Sequence, residues 1–187
     1  VIVANFNNAK FLDECIKSLI NQNLKSYEII VIDDNSKDNS IKILEKYKKN
    51  ISIIHIKKKT NHGSYNQINA YHKGFLRSKG KYIFFLDSDD FFKKNKLLKH
   101  IKIFKKQKNE KIIFDLPILK FKNKTIKKTF KQKSFFMSNW PRFSPQSCIS
   151  VRREYANELF KNLKIKKFEK IWFDFRIASY TLSLIHI

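Results

Sequence analysis

Glycine and proline are scarce, three of each in 187 residues. With no Pro-, Gly- or Ser-rich stretch to divide it, the chain is expected to form one domain long enough to bury a core. Cysteine is scarcer still: Cys15 and Cys148 are the only two, too few for a disulfide framework. Cys15 also falls on the apolar stripe of a predicted helix, so a reducing compartment fits best, the cytoplasm or the inner face of the cytoplasmic membrane. No apolar run approaches the roughly 18 residues of a membrane span, and no signal peptide opens the sequence. His55, His62, His72, His100 and His186 show neither H-x-H nor H-x-x-x-H spacing, so no zinc site is expected. Both ends read as cut. Val1 begins within a strand-like pattern and Leu182 to Ile187 stop without a closing polar tail, which suggests a fragment of a longer protein.

Acidic residues are few as well, 16 against 40 Lys and Arg, which leaves a formal net charge of +24. Such a balance suggests nucleic acid or an anionic membrane surface as partner. The bias is mostly Lys, it accompanies many Ile, Asn and Phe, and it is spread from Lys10 to Lys170, as codons rich in A and T would produce. No zinc-finger, RNP-type or glycine-loop signature accompanies it, so no nucleic acid is expected. Peripheral contact with anionic lipid stays open. Hydrophobic residues make up 42% of the chain, 18 of them Phe, which argues for a packed globule.

What is present alternates between strand-like and helix-like patterns, the signature of βαβ units and a mainly parallel sheet. Val1 to Ala4, Glu28 to Ile32, Ile51 to Ile56 and Tyr82 to Leu86 read as strands. Between them lie helices carrying Phe11, Leu12, Cys15, Ile16, Leu19 and Ile20, then Ile41, Leu44 and Tyr47 with Ser36 and Asp38 as N-terminal caps, then Gln67 to Ser78, with Asn61 to Ser64 as a loop. Leu97, Leu98, Ile101 and Phe104 mark a further helix. Its other face, with Lys93, Lys94, Lys96, Lys99, Lys102, Lys105 and Lys106, is either solvated or a membrane contact. Ile112 to Phe114 reads as a strand and Leu119 to Phe130 as a hairpin turning near Asn123. Trp140 to Ser147 reads as a loop, and Arg153 to Leu163 and Trp172 to Leu184 as helices.

The chemistry concentrates in YIFFLDSDDF, Tyr82 to Phe91. Asp87, Asp89 and Asp90 follow a buried strand, at the edge where open α/β sheets bind ligands. Mutually repelling carboxylates fit a divalent cation and a charged substrate, or else a polar turn capping the next helix. The second strand ends in Asp33-Asp34-Asn35-Ser36, so two acidic turns share one sheet edge. A carboxylate there can accept from a base imide or a ribose hydroxyl, or can cap the helix that follows.

VIVANFN with FLDECIKSLINQ, IIVIDDNSKDNS and GKYIFFLDSDD, in that order and spacing from Val1 to about Phe104, resemble a family 2 glycosyltransferase with the GT-A fold. The resemblance implies an α/β Rossmann-like sheet with a small antiparallel hairpin on the acceptor side. It divides the chain into a nucleotide-binding half, 1–104, and an acceptor-side half, 105–187. It further implies a nucleotide-sugar donor, usually a UDP sugar, with Asp33 on the base, Asp34 supporting base or ribose, Asn5 and Phe6 lining the pocket, and Asp87 near ribose or metal. Asp89 would coordinate Mg²⁺ or Mn²⁺ at the diphosphate. The product would be a cell-surface polysaccharide or glycolipid, built on a glycan or lipid-linked acceptor.

On the acceptor side SPQSCISVRRE, Ser144 to Glu154, resembles the family's strand and loop facing the acceptor. Trp140 and Arg142 are candidate contacts; Trp140 either stacks on a sugar or is buried. An inverting transfer needs a general base. Asp174 in KIWFDFRIASY is the candidate, the alternative being a helix-terminal Asp paired with Arg176 or a Lys. Where many relatives carry Ala-Arg-Asn followed by Gly, this chain reads Ala70-Tyr71-His72-Lys73-Gly74, leaving Lys73 or Arg77 to stand in for the Arg. A non-catalytic nucleotide-sugar-binding domain is the competing reading, and a basic nucleic-acid-binding module is the weaker one.

Overall fold

The computed structural model describes residues 1–57, 60–121, 124–127, 144–163 and 169–185. The elements in order are β1 (Ile2–Asn5), α1 (Ala9–Ile20), β2 (Ile30–Asp33), α2 (Ser40–Lys46), β3 (Ser52–His55), α3 (Gly63–Arg77), β4 (Tyr82–Asp87) and α4 (Lys96–Lys106). β5 (Ile112–Phe114), β6 (Ile118–Phe121), β7 (Lys124–Lys127), β8 (Ile149–Arg152), α5 (Arg153–Asn162) and α6 (Phe173–Ile185) complete the chain. One six-stranded sheet has the order β3-β2-β1-β4-β8-β5, and β6 and β7 form a separate hairpin. β1, β2, β3 and β4 are parallel, whereas β8 runs antiparallel between β4 and β5. The sheet is thus mainly parallel with an antiparallel edge, as in many α/β folds.

Strand alternation divides the core in two. Ile2, Ile30, Ile32, Ile83 and Phe85 meet Ile68, Tyr71 and Phe75 of α3, with α5 and α6 beside them. Val3, Val31, Phe84 and Leu86 meet Leu12, Cys15, Ile16 and Leu19 of α1, Leu44 of α2 and Leu97 of α4. Period-2 side chains on strands covered on both faces require this two-sided burial. α3 lies so close to the sheet that a Cβ on Gly74 would come within 2.3 Å of Ile2 Cγ2, so only glycine fits there.

The chain steps outward from β1 to β2 to β3 and then returns through α3 to β4 on the other side of β1. The carboxyl ends of β1 and β4 therefore flank the point where strand order reverses, the place where such sheets bind ligands. Ala4 pairs with Asp87 and Asn5 with Asp33, so both acidic turns emerge level with one another.

Several expectations shift in detail. α3 begins at Gly63, inside the stretch read as a loop. Among the described residues the hairpin pairs Ile118–Phe121 with Lys124–Lys127; the expected turn at Asn123 and the stretch 128–130 lie outside them. Asp38 supports the start of α2, its Oδ1 accepting from Ser40 N at 2.9 Å. Ser36 instead ties β1 to β2, its Oγ accepting from Asn5 Nδ2 at 3.2 Å and from Asn7 N at 3.0 Å. Lys96, expected on the solvated face of α4, turns inward and pairs with Asp115 at 2.6 Å.

Candidate nucleotide and metal site

At the carboxyl end of β2, Asp33 has no exposed surface. Its Oδ1 accepts from Asn5 Nδ2 at 2.8 Å, its Oδ2 accepts from Ser36 N at 3.1 Å, and His55 Nδ1 lies 3.7 Å from Oδ2. Asn7 and Asn35 turn the chain with φ of 50° and 58°, a left-handed conformation that Asn tolerates better than most residues. The carboxylate of Asp33 thus fastens the β1 and β2 turns together. Each oxygen accepts one of these bonds, and a carboxylate offers about four acceptor positions, so both bonds can persist if a further donor is accepted. Asp34 is buried as well, and Phe6 is 41% exposed above the same edge.

At the end of β4, the ligand atoms of Asp87, Asp89 and Asp90 lie within 4.8 Å of one another. Asp87 is fixed from two sides. From α3, Tyr71 donates its hydroxyl to Oδ1 at 2.7 Å and Gln67 Nε2 donates to the same oxygen at 3.1 Å. From the 3₁₀ turn Gln146–Cys148, Gln146 Nε2 donates to Oδ2, while Ser147 Oγ accepts from Asp87 N at 3.0 Å. Asn8 Nδ2 donates to Ser88 Oγ at 3.0 Å and joins this turn to the start of α1.

Burial pushes the Asp87 carboxyl up to about 7; the bonds from Tyr71 and Gln146 oppose the shift, and the charges of Asp89 and Asp90 add to it. Asp90 is raised as well, chiefly by desolvation. Three carboxylates gathered at a strand end suit a hard divalent cation, whose charge would offset their repulsion. The donor set fits such an ion.

Asp174 lies in the first turn of α6. Its Oδ1 accepts from Phe175 N at 2.8 Å, and desolvation raises its pKa. The start of α6 is held at the sheet edge where α3 begins. Ser64 Oγ donates to Glu169 O, His62 Nε2 lies 3.1 Å from Glu169 Oε2, and a Cβ on Gly63 would lie 3.7 Å from the Trp172 ring. Phe173 stacks on Tyr71 at 5.0 Å between ring centroids, and Tyr71 reaches Asp87. Phe173, the neighbour of Asp174 in sequence, is thereby joined through Tyr71 to Asp87. Trp140 and Arg142 lie outside the described residues.

Glycosyl transferase family 2 matches by its family model over residues 1–160. The chain belongs to this family. The poly(ribitol-phosphate) beta-N-acetylglucosaminyltransferase TarP of Staphylococcus aureus is 33% identical over 137 residues, which cover 71% of this chain and 40% of that protein. The chain thus spans less than half the length of this relative. Among solved structures, S. aureus TarS 1-349 in complex with UDP has a TM-score of 0.60 at 19% identity, covering 90% of this chain and 51% of the other. The mannosyltransferase PcManGT of Pyrobaculum calidifontis, in complex with GDP-Man and Mn²⁺, has a TM-score of 0.66 at 11% identity, covering 98% and 51%. The fold is GT-A.

Four residues around Asp87 escaped the sequence: Gln67, Tyr71, Gln146 and Ser147. The first two carried a usable signal, since i and i+4 on a helix share a face, but nothing local says that this face meets the end of β4. The expected stand-ins for the missing Arg, Lys73 and Arg77, lie toward the C-terminal end of α3. α3 runs away from the ligand edge at 1.5 Å per residue, so Arg77 lies about 15 Å beyond Gln67 along the axis. Lys73 follows the edge-facing Tyr71 on that descending stretch.

Proposed function

We propose that this chain is the catalytic domain of a metal-dependent inverting glycosyltransferase. It would move a sugar from a nucleotide donor, a UDP sugar, to a glycan or lipid-linked acceptor in cell-surface polysaccharide or glycolipid synthesis. The observation that carries the reading is the convergence of Asp87, Asp89 and Asp90 within 4.8 Å at the switch point of a family 2 domain. UDP in the TarS structure and Mn²⁺ in PcManGT support the choice of donor class and ion. In this reading Asn5, Phe6, Asp33 and Asp34 make the nucleoside side, with Asp33 holding the turns and Phe6 presenting a face to the base. Asp89, assisted by Asp87, would hold Mg²⁺ or Mn²⁺, which supplies Lewis-acid stabilisation of the leaving diphosphate.

Asp174 would take the acceptor hydroxyl proton while that oxygen attacks the anomeric carbon opposite the departing diphosphate, which leaves with the bonding electron pair. Its raised pKa supports this role, because a base works best when its pKa approaches the operating pH. Calorimetric titration with UDP, with and without Mn²⁺, followed by a turnover assay, tests the assignment. Uridine-selective, Mn²⁺-dependent binding is expected in the parent and in Asp174→Asn, with turnover at least about 100-fold lower in the variant. Binding without turnover in the parent itself would favour a non-catalytic nucleotide-sugar-binding domain. Absence of nucleotide binding would overturn both readings.

Among the described residues no helix is long and apolar enough to cross a membrane. Lys93, Lys94, Lys99, Lys102, Lys105 and Lys106 are exposed on and before α4, with no acidic residue between Phe91 and Asn109. We place peripheral contact with an anionic inner membrane face here. Binding to phosphatidylglycerol vesicles should fall at least about 10-fold when Lys99, Lys102 and Lys106 become Glu, since each basic residue near such a surface contributes about 1 kcal/mol. An equal fall on reversing Lys42, Lys46 and Lys49 would show that net charge alone is responsible.

A further inference from the structure

Behind the acidic turn lies a buried ionic cluster that the proposed reaction does not use. Lys96 and His100, with side chains only 10% and 6% exposed, both point at Asp115 Oδ2. Lys96 Nζ donates to it at 2.6 Å and His100 Nε2 lies 3.1 Å away. An ionised carboxylate only accepts, so Nε2 carries the proton. The other ring nitrogen, Nδ1, sits 2.7 Å from Ser150 Oγ on β8. Desolvation pushes the Asp115 carboxyl up, but the bonds from His100 and Lys96 outweigh it and hold the pKa below the usual range.

The cluster acts on one short stretch. Ser144 Oγ donates to Asp115 O at 2.6 Å, Asp115 N donates to Cys148 O at 2.9 Å, and Lys96 Nζ donates to Ser147 O at 3.3 Å. These bonds grip both sides of the 3₁₀ turn Gln146–Cys148. From that turn Gln146 reaches Asp87 Oδ2, and Ser147 Oγ reaches Asp87 N and the Asp90 carboxyl.

We propose that Asp115 is a positioning residue: anchored by Lys96 and His100, it holds the Gln146–Cys148 turn against Asp87 and Asp90 and so sets the affinity of that cluster for a divalent cation. The inference rests on the metal-dependent reading above. Residues that orient ligating carboxylates commonly influence metal affinity by about 10- to 100-fold. The Asp115 network would do so through hydrogen bonds to the backbone of Ser147 and Cys148, whose turn carries the Ser147 hydroxyl and the Gln146 side chain to Asp87, without touching the ion.

The test is Mn²⁺ binding, read as free Mn²⁺ by electron paramagnetic resonance in the presence of saturating UDP. Asp115→Asn should weaken Mn²⁺ about 10-fold, Ser147→Ala should do the same, and the double variant should be no worse than either alone, because the two act along one path. Should Asp115→Asn fail to fold with Lys96 left unpaired, the paired replacement Lys96→Met with Asp115→Leu removes both charges together. It should show the same loss. Parent-like Mn²⁺ affinity in a folded variant, or additive losses in the double variant, would overturn the role of Asp115 while leaving the metal site standing. A parent protein that binds UDP but no Mn²⁺ would overturn the metal-dependent reading itself, and this proposal with it.

Discussion

Replacing Asp89 by Ala is expected to lower turnover by about 10²- to 10³-fold while the unfolding temperature stays where it was. The catalytic half of this result follows from charge. Lewis-acid stabilisation of a leaving group contributes several kcal/mol in the transition state, and each 1.36 kcal/mol is a factor of about ten in rate. Asp89 is one of the two exposed members of the cluster, and the bonds from Tyr71 and Gln146 go to Asp87. The stability half follows from position. An exposed carboxylate beside two others contributes repulsion rather than packing, so its removal eases the charge pressure on Asp87, which Asp89 helps to raise. Parallel turnover assays and thermal melts check both halves. Undiminished turnover would remove Asp89 from the proposed metal site, and a large drop in melting temperature would make its role structural.

Phe173→Ala should destabilise the fold by about 3–5 kcal/mol, the range for truncating a fully buried aromatic side chain. The ring is 0% exposed and packs on Tyr71 at 5.0 Å, Phe85 at 5.0 Å and Phe160 at 5.7 Å. For a chain of this size that corresponds to a fall on the order of 10 °C in melting temperature. A second consequence is specific to this ring. Phe173 is the link between Tyr71, which bonds Asp87, and Asp174, the proposed base. Loss of the ring should therefore lower turnover more than nucleotide affinity, even at a temperature where the variant is folded. Urea unfolding, set beside kcat and UDP affinity at 10 °C, separates the two effects. A destabilisation under about 1 kcal/mol would mean that α6 is not seated on this core as described.

The aromatic chain from Phe173 to Asp87 also joins α6 to a site that begins at the first strand. Stacked and edge-to-face rings of Tyr71, Phe85, Phe160 and Phe173 fill the space between α3, α5 and α6. Close-packed rings leave little room for a helix to slide. The position of Asp174 is therefore as rigid as that packing.

Some of this was legible in the residues alone. Short continuous apolar runs ending in Asp33-Asp34 and Asp87-Ser88-Asp89-Asp90 pointed to buried strands with acidic turns at their ends, because β-branched and aromatic enrichment and the turn preferences of Asp act locally along the chain. The helical stripes of α1, α2 and α4 were equally local. Other features were decided only when distant segments met. β8 enters the sheet antiparallel between β4 and β5, which carries Gln146 and Ser147 to Asp87. α3 returns over β1, which turns Gln67 and Tyr71 toward the same carboxylate. Lys96, one lysine among many in its helix, becomes a buried partner of Asp115 because β5 ends beside α4. Periodicity specifies which face of an element is apolar, but the neighbour of a polar side chain is set by strand order and crossover. Hydrogen bonds between residues far apart in sequence exist only once that topology has formed.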